Sequence, residues 1–265
     1  NLKMQIKRAK KLTKKPFGVN IPLDLKESGI FVDVSLREKA EIVITAAGNP
    51  GDYTELLKGS GIKVFHVVSS VKQARIAESC GVDGIIAEGI EAAAHNGFDE
   101  LPLFSLIPQV ADAINVPLVA AGGIVEARGV VAAMSLGAEG VQLGTRFVAV
   151  DENIAHPNYK RAIIEARDTD TVITGRRLLP TRVLKTEFSK RILRLEDSGA
   201  SADEIRAAIG YRRARKAQLE GALSEGEAHC GASAGLVKDI VPAAQIIRRL
   251  VEGYQEIIGS LYDMD

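Results

Sequence analysis

Three short phrases constrain this chain more than any other feature: GIKV at 61–64, GVDG at 81–84 and GAEG at 137–140. Each places a glycine where a helix C-cap belongs and then starts an apolar run. The same helix-to-strand return, used again and again, reads as a repeated βα unit and hence a parallel sheet. The apolar runs predict strands over 17–21, 42–46, 63–68, 83–87, 118–121 and 140–143. Helical spacing fills the intervals at 32–39, 53–58, 71–80, 103–114 and 125–136. Residues 2–15 read as a cationic amphipathic helix with Ile6, Ala9 and Leu12 on one side, ended by Pro16.

Six strands are two short of the eight that close a (β/α)8 barrel. The expected fold is therefore α/β, a TIM (β/α)8 barrel lacking its first two βα units in this chain. At about 25–30 residues per unit, roughly fifty residues of the natural protein would precede Asn1. An open six-stranded sheet, complete as written, is the alternative. After Val150 the texture turns polar and charge-rich. The expected organisation is a cofactor-binding barrel core over 1–150, a helical lid or appendage over 151–232, and a barrel-closing helix over 233–265. Helices are predicted in the lid at 186–197, 201–209 and 211–223, the second opened by a capping box from Ser201 to Glu204. In the last segment Ile240, Ile246, Ile247, Leu250, Tyr254 and Ile257 are spaced for burial.

Composition narrows the class. Lys plus Arg and Asp plus Glu number 34 each, so no basic excess steers the chain toward nucleic acid or an anionic membrane surface. No apolar run approaches the ~20 residues that span a bilayer, and no signal peptide opens the chain. Cys80 and Cys230 fit free thiols in a reducing compartment. No Trp and 5% aromatics suit a sheet rich in Ala, Val, Ile and Gly. The expected location is cytoplasmic.

The chemistry gathers in 117–147. One apolar run ends in Gly122-Gly123 and the next in Gly144-Thr145-Arg146, each at a helix start. Strand ends of this kind present bare backbone N–H groups to an anion, and the last two strands of a βα-barrel are the usual place for them. The pair reads as the phosphate clamp of a bound cofactor. His95 follows the fourth visible strand, at the level where barrel active sites lie, and a neutral imidazole there can take or give a proton near pH 7. Asn20, ending the first strand, is either a turn residue or a contact to a polar cofactor edge. Residues 47–51 (AGNPG) are turn chemistry first and a ligand-facing loop second. Glu88 and Glu91 either orient His95 or bind cofactor hydroxyls, and Glu91 is nearly as well read as solvated. His66, inside a strand, reads as a packed core histidine, and His156 and His229 as bystanders in the appendage. Histidines and cysteines lack ligand spacing, so no metal is expected. The absence of GxxxxGK[ST], of GxGxxG after a strand and of GxSxG removes the P-loop, Rossmann and hydrolase-elbow readings. The basic run Arg212, Arg213, Arg215 and Lys216 is a solvated helix face, or else meets a nucleotide phosphate or an acidic carrier protein.

Taken together, GVN (18–20), AGNPG (47–51), EGIEAAAHNG (88–97), AAGGI (120–124) and QLGTRF (142–147) resemble the nitronate monooxygenase family, which includes the closely similar FMN-dependent enoyl-ACP reductase II. The resemblance runs to the tail at 231–239. It implies a TIM barrel holding FMN at the strand C-termini, with Gly122, Gly123, Gly144 and Thr145 on the phosphate and Asn20 near the isoalloxazine. Glu88, Ala92, Ala93 and Gln142 complete the implied FMN-binding set, and His95 matches the active-site histidine. The implied reaction is oxidation of alkyl nitronates with O2, His95 acting as base. The alternative is enoyl-thioester reduction, with NAD(P)H as reductant and acyl carrier protein as partner. A flavin-free phosphate-binding isomerase or aldolase is more remote, and a homodimer is left open. Two departures from the family pattern stand out. Ala93 and Ala94 replace the two glycines before the histidine, and the glycine-rich first strand of relatives is not in this chain.

Overall fold

In the computed structural model residues 2–262 are described. Asn1 and 263–265, the outermost ends of the expected core and closing helix, lie outside them. The described strands are β1 (Gly18–Pro22), β2 (Ile42–Ala46), β3 (Lys63–Val68), β4 (Gly84–Glu88), β5 (Ala94–His95), β6 (Leu118–Ala121), β7 (Gly140–Gln142), β8 (Thr171–Thr174) and β9 (Thr181–Leu184). The helices are α1 (Leu2–Leu12), α2 (Ser28–Arg37), α3 (Thr54–Gly59), α4 (Val71–Ser79), α5 (Leu103–Ala111), α6 (Ala127–Ser135), α7 (Thr145–Val148), α8 (Pro157–Glu165), α9 (Glu187–Asp197), α10 (Ala202–Ile209), α11 (Arg213–Glu220) and α12 (Ala243–Tyr262).

Six parallel strands pair in the order β1-β2-β3-β4-β6-β7, an open, barrel-like arc with helices along it. Alternation along each strand sorts the two faces. Val19, Ile21, Val43, Val64, Val68, Ile85, Ala87, Leu118 and Ala120 pack outward against Val32, Leu57, Ala74, Leu106, Ile107 and Val130 of the helices. Each such branched side chain contributes about 1.5–3 kcal/mol by leaving water. The opposite face carries the row Asn20, Ile44, Phe65 and Gly84, and beyond it the row Glu88, Ala121 and Gln142. A Cβ on Gly84 would lie 2.3 Å from the Phe65 ring, so glycine makes room for that aromatic on the concave side.

Three expectations are corrected. First, the segment expected as one helix from 233 is a 3-10 turn (Ala232–Leu236), then extended chain, then α12 from Ala243. Pro242 has no N–H to continue a helix and biases Val241 toward extended backbone, which pairs in parallel with Val150. Ile240 consequently packs in the appendage cluster rather than on a helix, and Ile247 is exposed. Glu152 receives the Ala243 N–H at 3.1 and 2.9 Å and caps the late start. Second, the helix expected to close the barrel wall takes its place in the helix layer, with Leu250 and Tyr254 against the main core. It lies on α6, close enough that a Cβ on Gly253 would sit 2.7 Å from the Ala127 Cβ. Third, the appendage is not all helical. β8 and β9 form an antiparallel hairpin, and β9 also pairs with β5, so the loop bearing His95 is stitched into the appendage sheet. The helices α9, α10 and α11 form in the appendage, and the Ser201–Glu204 capping box is present. Left-handed backbone at Arg212 and Gly221 brackets α11 more tightly than 211–223.

Candidate functional site

At the C-terminal ends of β4, β6 and β7 the chain leaves an open-mouthed recess of about 480 Å³, the solvent at its mouth included. Its walls come from the end of β4 and the loop after it (Glu88, Glu91, Ala92, Ala93), the end of β6 and its turn (Ala121 to Val125), and the end of β7 with the residues after it (Gln142, Gly144, Thr145). Gly231 and Ser233 close it from the tail. The turn at Gly122 and Gly123 runs at φ 94° and 73°, a region that disfavours side chains. A Cβ on Gly122 would meet Gly89 O at 2.9 Å and Ala92 N at 3.1 Å, whereas one on Gly144 would meet nothing within 4 Å. The N–H groups of Gly122, Gly123 and Gly144 donate to no acceptor among the described residues. Two cross-links hold the cup: the Ser233 hydroxyl donates to Gly123 O at 2.5 Å, and the Gly231 N–H donates to Thr145 Oγ1 at 3.0 Å.

This lining fits the phosphate end of a nucleotide cofactor: a narrow glycine cradle with uncommitted N–H donors and open space at Gly144. It brings together Glu88, Ala92, Ala93, Gly122, Gly123, Gln142, Gly144 and Thr145. Asn20 lies outside the lining, exposed on the concave face of β1, and His95 lies outside it as well. Sequence reasoning missed Gly231 and Ser233 as lining residues: Gly231 sits at the end of the expected appendage and Ser233 at the start of the expected closing helix. The lining carries two carboxylates and no Lys or Arg. Glu91 accepts the Leu103 N–H through both oxygens, at 3.0 and 2.9 Å. Burial pushes the Glu88 carboxyl up to about 7.

His95 comes two residues after Ala93 of the lining, in β5, exposed and paired with Thr181 of β9. Its Nδ1 lies 3.1 Å from Thr181 Oγ1, and that hydroxyl donates its own proton to Leu179 O at 2.8 Å. Thr181 therefore accepts from His95 Nδ1–H, and the neutral ring keeps its Nε2 lone pair free as a base. Desolvation of the ring lowers the His95 pKa below its ordinary 6.5, with the Asp24 charge opposing. His229, read from sequence as a bystander, stands edge-on to His95 with ring centroids 6.0 Å apart. Burial drives its pKa down to about 4, with His95 adding to the effect. Ala94, just before His95, holds φ 65°, the left-handed region where alanine is strained. The Asn96 amide donates to Ala92 O at 3.2 Å and Ala94 O at 2.9 Å, pinning the loop in that path.

The remaining sequence candidates have structural work. His66 faces the helix layer, 2.7 Å from Thr45 Oγ1, and burial takes it down to about 4. Asn49 Oδ1 accepts the Gly51 N–H, a turn cap. His156 Nδ1 accepts the Asn158 N–H and caps α8. Lys216 pairs with Glu225, Arg215 with Glu220, and Arg213 donates to Glu225 O. Among the described residues no group of three His, Cys, Asp or Glu could hold a metal, and no helix is long and apolar enough to cross a membrane.

A family model described as nitronate monooxygenase matches residues 26–253. Among curated proteins, a probable nitronate monooxygenase of Staphylococcus saprophyticus is 46% identical over 156 residues, 54% of this chain and 43% of that protein. An indene-carboxyl-CoA dehydrogenase of Rhodococcus jostii is 34% identical over 209 residues, 78% of this chain and 58% of that protein. The chain thus spans about half the length of these curated relatives. Among solved structures, FabK from Thermotoga maritima superposes with TM-score 0.92 at 41% identity, covering 100% of this chain and 84% of that one. A nitroalkane oxidase from Streptomyces ansochromogenes gives TM-score 0.80 at 25% identity, covering 98% of this chain and 86% of that one.

Proposed function

The chain belongs to the nitronate monooxygenase family, and from that premise we propose that it is an FMN-dependent oxidoreductase that reduces the double bond of an enoyl thioester. The glycine-built cavity supports the cofactor assignment. It offers uncommitted backbone donors for a phosphate and, farther up the strands, the polar ends of Glu88 and Gln142 for the rest of a flavin nucleotide. FMN, when bound, supplies the hydride chemistry that no side chain can.

The thioester assignment rests on the likeness to FabK, an enoyl-ACP reductase II, which extends over the whole chain including the lid. The carboxyl-CoA dehydrogenase relative acts on a thioester as well, by its name. In this reading His95, as imidazolium, would give a proton to the substrate carbon from Nε2, while Thr181 holds Nδ1–H and keeps the ring in place. NAD(P)H would be the reductant, and an acyl carrier protein or CoA would bear the acyl chain.

A second reading, oxidation of nitronates with O2, is favoured by one feature of the site. Neutral His95 presents a lone pair at Nε2 and has a lowered pKa, which suits a base better than an acid. The 46% identity to a probable nitronate monooxygenase points the same way. Steady-state assays separate the two. We expect the purified protein to be yellow and to consume NADH or NADPH only when crotonyl-CoA or crotonyl-ACP is present. Oxygen uptake with propionate 3-nitronate, without any reductant, would give the activity to the second reading. A colourless protein that binds no FMN would remove both.

A further inference from the structure

The cavity poses an electrostatic problem that its glycines do not solve. A phosphomonoester carries about −1.5 to −2 charges at pH 7, yet the lining residues include Glu88 and Glu91 and no cation. Each nearby positive group is committed elsewhere. Arg146, next to Thr145, is turned toward Asp239 at 3.1 Å and toward Ala149 O at 3.0 Å. Arg182 of β9 donates to Ile90 O and Thr171 Oγ1. The His95 ring is bonded to Thr181, and His66 on the adjacent β3 faces the opposite side of the sheet. β6 and β7 bring only Ala121 and Gln142 to the Glu88 row. Glu91 is anchored on the Leu103 N–H, while among the described residues no ion pair or hydrogen bond engages the Glu88 carboxyl. When a flavin fills the space, water leaves and an anion arrives, and both changes disfavour the ionised form of the unengaged carboxyl.

We propose that Glu88 couples cofactor loading to the uptake of one proton from solvent, so that FMN enters together with the neutralisation of this side chain. The proposal rests on the FMN reading above. In the ligand-free protein Glu88 titrates at about 7, and the bound state must hold it protonated to higher pH. Below pH 7 it is neutral in both states and affinity does not depend on it. Above pH 7 binding must first restore the proton, and Kd rises by up to tenfold per pH unit until the bound-state pKa is reached. The second ionisation of the FMN phosphate, near pH 6, lies below this window. His95 is lowered below 6.5 and also lies below it.

The test uses flavin-stripped protein titrated with FMN by fluorescence from pH 6.5 to 9, for the natural chain and for Glu88→Gln. Calorimetry of the natural chain at pH 8, in two buffers of different ionisation heat, counts the protons. Expected are a Kd that climbs about tenfold per unit above pH 7, uptake approaching one proton, and a Glu88→Gln Kd that stays flat. FMN binding with a flat natural profile and no proton uptake overturns the proposal, as does an unchanged slope in Glu88→Gln. Should that variant not fold, the proton count on the natural chain decides alone. Failure to bind FMN at any pH overturns the cofactor reading itself, and this proposal with it.

Discussion

Two neighbours in space set the aim of the His95 imidazole. His95 gains its direction from Thr181, and Ala94 sets the pitch of the backbone with a left-handed φ of 65°. His95→Ala should lower kcat/KM by about 10²–10⁴, the span of a lost general acid or base, while flavin absorbance is retained. Unchanged turnover would exclude His95 from the chemistry. Ala94→Gly removes a Cβ from a conformation that costs about 1 kcal/mol or more. It should raise Tm by roughly 2–4 °C in a calorimetric scan; an unchanged or lower Tm would mean that the loop is not strained. The place of His95 just past β4 was legible because a strand precedes it, and so were the alanines in the glycine positions. His229 was not, because nothing near residue 229 in sequence reveals that its ring meets that of residue 95.

At the scale of elements, the site depends on strand ends that turn without side chains. Gly144 opens onto free space, so Gly144→Ala should fold and bind FMN nearly as before. Gly144→Asp should weaken FMN by about 10²–10³-fold, because like charges some 4 Å apart repel by about 4 kcal/mol at an effective dielectric of 20. Flavin retention through gel filtration distinguishes the pair, and equal loss in both would mean that steric room rather than charge governs the turn. The six parallel strands and their helices were readable to within a few residues, since period and glycine caps are local properties. The four-residue strands β8 and β9 are not legible, because they lie in polar, charge-rich sequence without the helix-to-strand glycine return that marks the parallel strands. Apolar spacing continues past the break that Pro242 imposes, so the end of the chain reads as one long helix although it is not one.

Across the whole molecule, buried titratable groups pull stability in opposite directions with pH. His66 and His229 have folded pKa values depressed to about 4, so their contribution is complete above 6.5 and is lost as pH falls through about 4. Glu88 is raised to about 7, so its contribution is present below 4.5 and is lost as pH rises through about 7. The terms oppose one another between pH 4.5 and 6.5. Glu88→Gln removes only the second. In the ligand-free protein its stability relative to the natural chain should therefore increase by about 1.4 kcal/mol per pH unit across that interval, about 3 kcal/mol in all. Urea unfolding at pH 5 and pH 7 measures this, and an equal difference at both values would place the Glu88 carboxyl in solvent.

What the sequence determined by itself is the repeat: parallel βα units whose last two strands stop in glycine. Periodicity, capping and turn preference act between residues a few positions apart, so they are written wherever they operate. Tertiary structure alone decided which distant segments complete the site. Thr181 reaches His95 across 86 positions, and Ser233 reaches Gly123 across 110. Such contacts carry no local signal, because they exist only after the sheet has set its register and brought the appendage onto the strand ends.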